Sequence, residues 1–137
     1  MTSSQSIAVT MVFGLELAFV AAAWANPASD ACAALANARS SLYAMTLAKE
    51  KTAQDGWNAK VQAASTKLDA VLAGMTGADA KVASDFKAVW DQFKATRENE
   101  IIPAIYKGSA AEAQKLADGI QADRLAKMWS IMSCKAR

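Results

Sequence analysis

Residues 57–75 read WNAKVQAASTKLDAVLAGM, and their apolar positions Trp57, Val61, Ala64, Leu68, Val71 and Met75 step by four, three, four, three and four. That spacing returns an apolar side chain to one face of an α-helix at every turn, as in helices packed at shallow angles. A strand would need alternation with period two, and no run of β-branched and aromatic residues in the chain supplies it. The fold class is therefore all-α.

The same periodicity extends both ways from this stretch. Upstream, Ser29-Asp30 offers N-cap chemistry for a helix running to about Lys51, with Cys32, Leu35, Ala38, Leu42 and Met45 on one face. TAQDG at residues 52–56 is expected to separate it from the helix that starts near Trp57. Downstream, Gly74 and Gly77 mark a turn, and Thr76 or Asp79 starts a third helix carrying Val82, Phe86, Val89, Trp90, Phe93 and Ile101. Pro103 should kink or end it. Gly108 and Ser109 punctuate the next turn, and a fourth helix carries Ala113, Leu116, Ile120, Met128 and Ile131. Short connections make neighbours antiparallel, which predicts an up-down-up-down four-helix bundle over residues 26–137.

Composition narrows what such a bundle can do. The 137 residues, 53% apolar and 20% charged, suit one globular domain. A net charge of +2 with bases spread among acids gives no stripe to follow a phosphate backbone, so nucleic acid is not an expected partner. The chain has no histidine, which removes the commonest general base and the commonest ligand of zinc and haem. Without it no Ser/His/Asp set exists, and no glycine-rich phosphate loop appears. The expectation is a protein that is not an enzyme and holds no metal or cofactor. Met45, Met128 and Met132 read as core rather than copper ligands. Glu98 with Glu100, and Asp118 with Asp123, lack the spacing to share a helix face and read as solvated charges.

Residues 7–25 are apolar and end in Ala23-Trp24-Ala25, the small-residue pattern of a signal peptide cleaved after Ala25. The leader lacks a basic residue and Glu16 interrupts the apolar run, so an uncleaved membrane anchor is the alternative. Both readings place the bundle outside the cytoplasm. In an up-down-up-down bundle the start of the first helix and the end of the last meet, which brings Cys32 to Cys134. Exported, these two are expected to form a disulfide; unpaired thiols or a bond to another subunit are the alternatives.

Arginine can hold a carboxylate through two parallel hydrogen bonds. Arg39 and Arg124 lie about 10 and 15 Å from the cysteine end at 1.5 Å per residue, which places them at one level. Tyr43 and Trp90 fall at similar heights. The alternative is that both arginines extend into water.

Residues 86–120, FKAVWDQFKATRENEIIPAIYKGSAAEAQKLADGI, carry an aromatic-rich run followed by arginine (Trp90, Phe93, Arg97), then a turn and a small-residue helix (Gly108, Ala110, Ala113). This resembles the last two helices of the periplasmic four-helix-bundle sensor domain of methyl-accepting chemotaxis receptors. The resemblance implies a small carboxylate or amino acid bound between helices, with arginines as carboxylate clamps; together with the shared level of Arg39 and Arg124 it makes Arg39, Arg124 and Arg97 the expected ligand contacts, beside Trp90 and Tyr43. The alternative is a membrane-anchored accessory subunit that packs on a membrane protein.

Overall fold

The computed structural model describes residues 26–135, and every regular element among them is helical. Helix α1 spans Pro27–Leu47 and α2 spans Lys51–Gly74. A 3-10 turn at Gly77–Asp79 leads into α3, Ala80–Thr96, which passes through a π-helical segment, Arg97–Ile101, into α4, Ile102–Tyr106. Helices α5, Ala110–Asp118, and α6, Ile120–Met132, make the fourth stretch. The signal-peptide or anchor reading of residues 1–25 lies outside the described residues.

Several boundaries differ from the reading of the sequence. Helix α1 starts before Ser29-Asp30 because the Asn26 side chain accepts from the backbone N–H groups of Ala28 and Ser29, and Pro27 fits the first turn with its preset φ. TAQDG does not separate helices; it belongs to α2, and the turn falls at residues 48–50. Gln54 is buried and donates to the Ala48 carbonyl at 2.9 Å, so this segment holds the turn from inside the helix. Gly56 has no atom near its missing Cβ and weakens the helix without ending it. Pro103 likewise does not terminate the third stretch. The wider π turn lies where the proline lacks a donor and its ring crowds the carbonyl four residues back.

The fourth stretch is broken at Gly119, where a Cβ would meet the Lys115 carbonyl oxygen at 3.1 Å. The break re-phases the seam. Ile120, expected in the core, is 48% exposed, while Gln121, Leu125, Met128 and Met132 point inward at steps of four, three and four.

The core has two apolar parts. One gathers Leu35, Leu68, Phe86, Trp90, Phe93, Leu125 and Met128; the other gathers Leu42, Met45, Val61, Ile101, Ile105 and Ala113. Between them in sequence, on successive stretches, fall the buried polar residues Ser41, Ser65, Thr96 with Arg97, and Gln121. The chain passes from first part to second along α1, back along α2, forward from α3 to α4, and back from α5 to α6.

Cys32 and Cys134 form a disulfide with Cα atoms 5.7 Å apart and a sequence separation of 102. No cysteine among the described residues is free. Such a bond belongs to an oxidising compartment. Among the described residues no helix is long and apolar enough to cross a membrane.

Candidate functional site

Helix α1 turns Ala31, Ala34, Leu35 and Ala38 to the core. Its next face, with Ala36, Arg39, Ser40 and Tyr43, forms one wall of a groove of about 930 Å³. Trp129, Met132 and the segment that ends in Lys135 form the other wall, and the Cys32–Cys134 bridge lies between them. The left-handed backbone of Ser133 (φ 54°) caps α6 and turns Cys134 out of the helix, with the Cys134 N–H donating to the Trp129 carbonyl at 2.9 Å.

The charge of this groove is one-sided. Arg39 and Lys135 line it, and among the described residues no aspartate or glutamate does. The Arg39 guanidinium lies 5.5 Å from the centre of the Trp129 ring, a cation–π contact, and finds no carboxylate and no hydrogen-bond acceptor among the described residues. Four lysines elsewhere meet a carboxylate, among them Lys51 with Asp55 and Lys81 with Asp85, each at 2.6 Å, and Lys94 with Asp69 at 2.9 Å. Tyr43 is 57% exposed at the groove's far end.

The five residues expected to form one site are divided. Arg39 and Tyr43 share the groove. Trp90 and Arg97 are buried together, the guanidinium 5.6 Å from the indole centre. Trp90 donates to Asp69 at 2.7 Å and stacks on Phe93. Arg97 donates to Ser65 at 2.8 Å and through Nε to Glu98 at 2.8 Å, with a second guanidinium nitrogen 2.7 Å from the same carboxylate oxygen. Glu98 also accepts from Gln62, so it is more than a solvated charge. Arg124 donates to the Thr96 hydroxyl at 2.6 Å, to Gln121 and to the Gln92 carbonyl, while Gln121 donates to the Phe93 carbonyl. The donors of Arg97 and Arg124 thus serve the polar belt between the two apolar parts. Met45, Met128 and Met132 are buried, with Met45 in a different part of the core from the other two.

Trp129 and Lys135 were not anticipated as groove residues. The available signal was an aromatic one position beyond the buried Met128.

A second cavity, of about 530 Å³, lies where the α1–α2 and α4–α5 turns meet, lined by Lys49, Lys51, Asp55 and Tyr106. The carboxylate in it is engaged from two sides. Asp55 accepts from Lys51 and from the Tyr106 hydroxyl at 2.7 Å, and the Lys51 ammonium also lies 5.4 Å from the Tyr106 ring centre. Lys51 first, then Tyr106, hold the Asp55 carboxyl below its ordinary range, and the bond to Asp55 raises Tyr106 above its own. No family model, curated protein or solved structure matches the chain significantly.

Proposed function

We propose that this chain is an exported, non-catalytic, antiparallel up-down-up-down four-helix bundle that binds a small organic anion, directly or as the sensing part of a larger assembly. The alternating order in which the four stretches visit the two core parts supports the topology. The disulfide supports export to an oxidising space. One observation carries the binding function: a groove with two cations, no carboxylate, and an arginine held on an indole with its donors unclaimed among the described residues. The site is Arg39 and Tyr43 with Trp129. Arg97 and Arg124, expected as carboxylate clamps, and Trp90, expected beside them, serve the interior. Calorimetry against a panel of organic anions tests the reading. Binding that weakens in Arg39→Gln and persists in Lys81→Gln supports it, and silence across the panel overturns it.

The exposure of Tyr43 and Leu47, four residues apart on α1, favours a second reading as an anchored accessory subunit that packs on a membrane protein. Intact-mass measurement on native membranes separates the two. A chain starting at Asn26 removes the anchored version.

A further inference from the structure

We infer that the groove's ligand is an elongated anion with an aromatic or otherwise apolar body, not an amino acid or a short dicarboxylate. This rests on the reading of the groove as an organic-anion site and concerns which anion fits. Size is the first argument. A groove of about 930 Å³ falls at the upper end of sites that enclose drug-sized ligands, and a four-carbon acid would leave most of it to water.

Lining chemistry is the second argument. Ala28, Ala33, Ala36, Met132, the disulfide and the Trp129 indole present apolar surface along the groove. Asn26, Ser29, Asn37 and Ser40 offer polar contacts beside this surface, but a wholly polar body would leave the alanines, the thioether and the indole without apolar cover. An amino acid also brings an ammonium group, and no carboxylate among the described residues lines the groove to receive it.

The placement of charge is the third argument. Arg39 lies seven residues along α1 from Cys32, which is about 10 Å at 1.5 Å per residue. Lys135 directly follows Cys134 at the bridged end. Along the axis of α1 that offset is longer than a four-carbon diacid, so such a ligand fills only part of it. A longer body places one carboxylate on the edge of the Arg39 guanidinium while its apolar part lies along the alanines toward the bridge. The cation–π contact at 5.5 Å uses none of the guanidinium N–H donors, which stay available for a bidentate contact.

The experiment titrates the purified protein with naphthoate, decanoate, succinate, glutamate and naphthamide, read by calorimetry and by indole fluorescence. Naphthoate and decanoate are expected to bind at least about tenfold more tightly than succinate or glutamate, a difference of about 1.4 kcal/mol. Arg39→Gln should lose about tenfold for naphthoate with its circular dichroism unchanged, and Trp129→Phe should lose the fluorescence response. Succinate or glutamate binding as tightly as naphthoate overturns this inference and leaves the anion reading standing. Naphthamide equal to naphthoate, or no binding by any probe, overturns both.

Discussion

Arg97 and Arg39 carry the same guanidinium into opposite surroundings. Arg97 is 1% exposed and its donors are taken by Ser65 and Glu98; Arg39 is exposed on an indole and donates to nothing among the described residues. The position of Arg97 was legible in the sequence. Trp90, Phe93, Arg97 and Ile101 step by three, four and four, so Arg97 stands in the seam, and a seam arginine must bring its own acceptors. Arg39 offered no such signal, because the groove depends on how α1 meets α6. Arg97→Ala leaves a cavity at the polar belt and frees Glu98. It should cost about 3 kcal/mol by urea denaturation, near the lower limit for breaking a buried pair because Glu98 can turn to water. The Tyr106–Asp55 bond makes a separate prediction. A tyrosine whose folded pKa lies above the ordinary value of 10.0 contributes stability below that value and loses it as pH rises through the folded one. Tyrosinate absorbance should therefore show one residue ionising above 10.0. Asp55→Asn should return it toward the ordinary value; a profile unchanged in that variant would refute the assignment.

At the level of elements, the four helical stretches were legible and their joints were not. The seam from Val61 to Met75 repeats often enough to identify α2, but TAQDG contains residues common in turns, and only tertiary contacts show that Gln54 belongs to the helix and holds the Ala48 carbonyl. Gly119 also escaped notice, because the apolar Ile120 beside it suggested a continuous seam one residue out of phase with the buried one. Two glycine substitutions test these joints. Gly56 lies within α2 with nothing near its Cβ position, so Gly56→Ala should raise stability by about 0.5–1 kcal/mol. Gly108, at φ +80° between α4 and α5, adopts a conformation that an L side chain resists, so Gly108→Ala should lower stability by about 1 kcal/mol. A turn at residues 52–56 would give no gain for Gly56→Ala in urea denaturation.

For the whole molecule, the two core parts, the polar belt and the bridge form one arrangement. Each stretch crosses from one apolar part to the other past a polar residue, and a register shift on any of them would bury Ser65, Thr96 or Gln121 against leucine or phenylalanine. The belt thus penalises wrong registers, as a buried polar residue does in a coiled coil. The bridge acts on the unfolded chain. Its position was legible because helices that return the chain to its start bring Cys32 beside Cys134, and the groove beside it was not, because Arg39, Tyr43 and Trp129 lie off the seams. A loop of about 100 residues is worth about 4.7 kcal/mol on the chain-entropy argument. The double variant Cys32→Ser with Cys134→Ser should therefore keep its helical circular dichroism and lose about 4 kcal/mol in urea denaturation. Wild type under reductant should lose as much. Both should also bind naphthoate more weakly, since the bridge and the segment after α6 form part of the groove. A loss below about 1 kcal/mol would place the stabilisation elsewhere, with an unfolded chain already compact enough to hold its ends together without the bond.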